Sequence, residues 1–195
     1  MPLSPPSPRK PIHTRNVECF GYIREDGLWD IEGHMTDVKS YAFTNSHRGE
    51  LKPGEPVHNM WIRITVDDRL AIHNAEASTE HSPYAVCPAA ADNYHKLIGL
   101  RIKSGWLNEV KERLGGTGGC THLTELLGPM ATTAFQTAWA SRNKGREMVG
   151  LPKLEDRQPK DRRPALLNTC HAYASDSPVV KENWPAFYTG GETDV

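Results

Sequence analysis

The chain lacks a surplus of either charge: 23 Lys and Arg stand against 24 Asp and Glu in 195 residues, a net charge of -1 with histidine neutral. That balance excludes the basic stripe of a generic nucleic-acid or anionic-membrane binder. No apolar run approaches the roughly 20 residues that a membrane span needs. The opening MPLSPPSPRKPIHTR has no apolar stretch behind its charges and so does not read as a signal peptide. Cysteine is sparse, with Cys19, Cys87, Cys120 and Cys170 far apart and no CxxC pair, so reduced thiols and a cytoplasmic location are expected. The phosphate-loop ending Gly-Lys-Ser/Thr, the Rossmann glycine spacing and HExxH are all missing. Without a nucleotide, flavin, nicotinamide or pyridoxal fingerprint, a cofactor-free chemistry is the economical expectation.

What is present suggests one core. Residues 1–12 are rich in proline and serine and read as an extended arm. The single domain is expected over 13–141, followed over 142–195 by a basic, proline-bearing linker and an aromatic tail that fits docking on the domain or on a second subunit. Strands are expected at Asn16–Arg24, Leu28–Lys39, His58–Val66 and Leu70–Ser78, with an Asp26-Gly27 hairpin turn between the first two. The polar stretch from Tyr41 to Pro56 reads as a loop. In the fourth strand, strict alternation sets Ile72 with Asn74 and Glu76, opposite Ala75. Helical periods follow at Ala89–Gly99, Gly105–Leu114 and from Thr121, read as a cap, with Leu123, Leu126, Leu127, Met130 and Ala134 as an apolar stripe. Gly128-Pro129 is expected to bend or break that last helix. The fold class is therefore α+β: an antiparallel meander of about four strands covered by about three helices.

Two stretches carry chemistry. In REDGLWDIEGHMTDVK, Asp30, Glu32, His34 and Thr36 share one strand face, and the neighbouring strand offers Asn59, Trp61 and Arg63. Together they suit acid–base work, with histidine as proton carrier, Arg63 as clamp and Trp61 as stacking wall; the plain alternative is a salt-bridged, solvated sheet face. Arg24, Asp30 and Asp37 read as structural partners. In GGTGGCTHLTELLGP, glycines enter a helix N-terminus whose free amides face an anion or oxyanion, unless they form only a connector and a cap. His122 and Glu125 are surface neighbours there, and Cys120 is a candidate nucleophile.

These residues form the candidate site, between the polar sheet face and the Thr121 helix. Glu32, His34, His58 and Arg63 are assigned to catalysis, and Trp61, Cys120, Thr121, His122 and Glu125 to substrate binding. A divalent metal on His34, His58, His122 and Glu125 is the second option, and a non-catalytic ligand- or protein-binding module the third.

The segments RKPIHTRNVECFGYIREDGLWDIEGHMTDVK, GEPVHNMWIRITVD, LIGLRIKSGW and RLGGTGGCTHLTELLGPMATTAFQT resemble a bacterial family known as domain of unknown function 2889, over about residues 13–136. The resemblance implies a small cytoplasmic enzyme of aromatic-compound breakdown, and assigns no catalytic residue. Joined to the residues above, it points to a lyase or isomerase acting on a phenolic molecule, with carbon–carbon cleavage releasing a small aldehyde such as formaldehyde. The expected partners are an aromatic small molecule and, as an open option, a second copy of the chain.

Overall fold

A computed structural model describes residues 3–155 and 163–191. The chain divides into two compact units, residues 1–154 and 155–195. The first is built on a four-stranded antiparallel sheet in the order β1-β2-β5-β6, from β1 (His13–Ile23), β2 (Trp29–Lys39), β5 (Pro56–Val66) and β6 (Ile72–His81). A small hairpin, β3 (Phe43–Asn45) with β4 (Gly49–Leu51), occupies the stretch expected to be a loop. Arg24 N–H donates to the Leu28 carbonyl across the first turn, and Gly27 adopts the positive φ of 87° that a glycine tolerates.

The sheet has one covered and one open face. Along β2 the odd-numbered residues Trp29, Ile31, Gly33, Met35 and Asp37 are buried, and the even-numbered Asp30, Glu32, His34 and Thr36 are half-buried on the opposite side. In β5, Met60, Ile62, Ile64 and Val66 join the buried face. The expected facing of β6 needs correction: Thr65 pairs with Asn74 and Val66 with Ile72, so a register shift reverses the phase at His73. Ile72 therefore enters the core with Ala75, opposite Asn74 and Glu76.

A 3-10 segment (Cys87–Leu97), α1 (Trp106–Leu114) and α2 (Thr121–Ala134) contribute to the covering layer. Trp106, Val110 and Leu114 are buried from α1, and Leu123, Leu126, Leu127, Met130 and Ala134 from α2, at the expected spacing. Of the expected bend or break, the break does not occur: α2 is one continuous helix through Pro129. Burial of the whole stripe outweighs the one backbone bond that proline cannot donate. Cys120, not Thr121, is the N-cap, without a side-chain cap bond. Tyr94 supplies the anchor instead: its buried hydroxyl donates to the Cys120 carbonyl, and accepts from the Cys120 amide and the Thr124 hydroxyl. A π-helical turn (Phe135–Ala140) and α3 (Arg142–Met148) continue beyond the point where a linker was expected. Most of the basic, proline-bearing run after Pro152 lies outside the described residues.

Two glycines let the layers approach. A Cβ at Gly21 would collide with Thr137, and one at Gly33 would lie 2.6 Å from Met130 Sδ and 2.9 Å from its Cγ. Gly33→Ala is expected to lower stability by about 1–3 kcal/mol through overpacking. An unchanged midpoint in urea denaturation would show that Met130 re-rotamerises freely.

The second unit contains α4 (Pro178–Asn183), capped by the Ser177 hydroxyl, which accepts from the Val180 amide at 3.2 Å. Its rings Tyr173 and Trp184 pack with centroids 5.3 Å apart. No helix among the described residues is long and apolar enough to cross a membrane.

Candidate functional site

The sheet register lines up Arg15, Asp37 and His58 in one row across β1, β2 and β5. All three point to the covered face, at the end of the sheet where apolar cover gives way to polar groups. Asp37 is 1% exposed, and four donors surround its carboxylate. Arg15 grips it bidentately, Nε on Oδ1 and a terminal nitrogen on Oδ2, both at 2.8 Å. His13 Nε2 reaches Oδ1 at 3.0 Å and His58 Nδ1 reaches Oδ2 at 2.9 Å. The second terminal nitrogen of Arg15 donates to Glu125 on α2 at 2.7 Å, tying the helix to the row.

The first turn of α2 sets His122 over His58, with ring centroids 3.8 Å apart and planes tilted by 34°. Cys120 Sγ lies 3.9 Å from His122 Nδ1. Because Asp37 holds His58 Nδ1, the other ring nitrogen, Nε2, is left as the basic atom. Burial, the neighbouring His122 and then Arg15 hold His58 below the usual histidine pKa, against the pull of Asp37. Burial and Arg15 lower His122 in the same direction, opposed by Asp37 and Glu125. Burial alone would raise Asp37, but the Arg15 bond and charge, the His13 bond and the His58 charge bring it down to about 2. The result is an ionised carboxylate behind two neutral imidazoles. A cavity of about 390 Å³ runs between α1 and α2, lined by Leu107, Leu114, Cys120, Thr121 and Glu125 among others; it shares Cys120 and Glu125 with this end of the sheet, while His58 and His122 lie outside its lining.

The structure divides the sequence-derived site in two. His58, Cys120, Thr121, His122 and Glu125 belong to the Asp37 end of the covered face. Glu32, His34, Trp61 and Arg63 lie on the open face, on the other side of the sheet. There Glu32, Arg63 and Glu76 form a cross-strand row, Arg63 bridging the two carboxylates at 2.6 Å each. His34 stacks on Trp61 at 3.8 Å with planes 9° apart and shares a 2.7 Å hydrogen bond with Asn59. Glu32, Trp61, Arg63 and Glu76 border a shallow cleft of about 510 Å³. Arg63, held by two carboxylates, is no free anion clamp, and neither Glu32 nor His34 reaches His58.

Asp37, read from the sequence as a structural partner, bonds Arg15, His13 and His58 at once. One signal was visible in the alternation of β2: Asp37 falls in phase with Trp29, Ile31 and Met35, and a carboxylate on a buried face requires strong donors. Nothing local in the sequence linked it to Arg15, which is 22 residues away and reaches it only through the β1–β2 register.

For a metal, His58, His122 and Asp37 present ligand atoms within 4.8 Å of one another. His34 cannot join them from the far face. The donor set fits a cation poorly: each Asp37 oxygen already accepts two hydrogen bonds, which fills its in-plane lone pairs. A tetrahedral site needs at least three protein ligands, and two imidazoles remain.

No curated protein and no solved structure matches the chain. A family model described as protein of unknown function (DUF2889) matches residues 13–136, nearly two thirds of the sequence. That span runs from the first residue of β1 into the π-helical turn and holds every residue of the Asp37 row together with His122 and Glu125. The chain belongs to the DUF2889 family.

Proposed function

We propose that the protein is a cofactor-independent lyase acting on a phenolic small molecule, with His58 as the group that moves the proton. The observation that carries this reading is the Asp37–His58 bond of 2.9 Å. It fixes one tautomer, leaves Nε2 free, and supports an imidazolium once a proton has been taken, as an orienting carboxylate does for a catalytic histidine. His122, in ring contact with His58, is the second proton-carrying group. The apolar cavity beside Thr121 supports an aryl body, and the first amides of α2 support a phenolate or another developing anion.

In the reaction, a para-hydroxyaryl substrate loses its phenolic proton and expels a benzylic oxygen, which leaves protonated, to give a quinone methide. His58 then takes the proton of a neighbouring primary hydroxyl. The carbon–carbon bond breaks, its electrons restore the phenolate ring, and formaldehyde departs. The products together equal the substrate, less any leaving group released as water or an alcohol, so no oxidant or reductant is needed. Incubation with aryl-glycerol-type phenols, followed by formaldehyde detection, tests the proposal. No aldehyde from any such compound, with turnover of a non-phenolic substrate instead, would overturn it.

The second reading, a divalent-metal hydrolase or lyase, rests on the proximity of the three ligand atoms. Elemental analysis of untagged protein separates the two. Less than a stoichiometric amount of zinc, manganese or iron is expected, because Asp37 is already saturated. One metal per chain, lost in His122→Ala, would favour the metal.

A further inference from the structure

The two edges of the sheet are treated very differently. On β6, two register shifts distort the ladder at Asn59/Met60 and Thr65/Val66. The following loop also adds backbone bonds there: the Ile72 amide donates to Leu100, the Gly99 amide donates to Ile72, and Ala71 bridges Arg101. Those are the usual devices that stop an edge from pairing with another chain. Along β1 they are absent. Its eleven residues pair with β2 without a register shift, it contains no proline or lysine, and among the described residues no strand lies on its other side.

β1 also exposes apolar groups on both faces: Val17 is 45% exposed on the covered side, and Phe20 and Tyr22 are 38% and 48% exposed on the open side. The rings of Phe20 and Tyr22 stack with centroids 6.4 Å apart. A long, regularly paired edge with these side chains is a template for strand addition.

We infer that β1 is a dimerisation edge, pairing antiparallel with β1 of a second copy to make one continuous eight-stranded sheet. A two-fold axis perpendicular to the sheet keeps each face on its own side, so opposed residues must share a face. A register centred on Glu18 would set that carboxylate against its own copy, which is unfavourable. A register centred on Phe20 sets Phe20 against its copy, Val17 against Ile23, Cys19 against Gly21 and Glu18 against Tyr22. Val17 then meets Ile23 and Phe20 meets its copy, Tyr22 lies against the Glu18 side chain, and no like charges face each other. A second copy meets both demands at once, since the edge is complementary to itself in backbone and in side chains.

The test is light scattering and sedimentation on the full chain. A mass of twice 21.8 kDa is expected, falling to the single value in Val17→Lys and Phe20→Lys, two exposed substitutions on opposite faces whose folding is checked by circular dichroism. A monomeric parent chain would overturn the inference, as would a dimer that survives both folded variants. The register has its own test in a Cys19→Ser, Cys170→Ser background. Mild oxidation should join Phe20→Cys into a covalent dimer, because directly opposed residues lie about 4.5–5.5 Å apart between Cα atoms, within disulfide reach. Asn16→Cys should stay uncrosslinked; efficient joining there and none at position 20 would overturn the Phe20-centred pairing.

Discussion

Asp37→Asn is expected to cost roughly 2–3 kcal/mol of folding stability at neutral pH, and to lose most of that difference by about pH 2. The carboxylate is 1% exposed and is shared by Arg15, His13 and His58. An amide in its place turns one acceptor oxygen into a donor that faces other donors. The pH dependence follows from the lowered carboxyl. Its ordinary value of 3.8 is depressed to about 2 in the folded protein, chiefly because Arg15 overcomes the cost of burial. Its contribution is therefore complete above pH 4 and is lost as pH falls toward 2, where the folded carboxylate takes up its proton.

His58 and His122 act in a higher window. Burial lowers both below the ordinary 6.5, so the unfolded chain takes up protons first and stability begins to fall as pH drops below about 6.5. Urea midpoints of the parent and Asp37→Asn across pH 2–8 check both statements. Equal midpoints at pH 7, or a gap that persists undiminished at pH 2, would show that Asp37 does not hold the row together.

The fold was largely legible because its signals are local. The alternation of β2 and β5, the Asp26-Gly27 turn and the stripe from Leu123 to Ala134 each declare one element and one buried face. The failures share a cause in tertiary context. The bulge at Thr65/Val66 reversed Ile72, and packing carried α2 through Pro129, against a local rule that looked decisive. The candidate site was half legible for a related reason. Glu32, His34 and Arg63 drew attention as a polar strand face, yet polar faces are what solvent-facing sheets have. The more informative residue was Asp37, the charge out of place among apolar neighbours. Its meaning depended on a cross-strand register that brings Arg15 and His58 to either side, and one sequence leaves that register open.

That division of the sheet also leads to the sharpest functional expectation. With a turned-over phenolic substrate in hand, His58→Ala should lose about 10²- to 10⁴-fold in kcat, the usual range for removal of a general acid or base. Asp37→Asn should fall in the same direction, because an amide no longer fixes the Nδ1–H tautomer of His58. His34→Ala and Glu32→Gln should turn over at close to the parent rate: both residues lie on the open face, His34 against Trp61 and Glu32 against Arg63, away from the Asp37 end. The rate should rise with pH through a group that titrates below the ordinary histidine value and then level off, as a base kept neutral by burial requires. The contrast between the two histidines decides the matter. Loss in His34→Ala with retention in His58→Ala would move the chemistry to the open face and the 510 Å³ cleft beside Arg63.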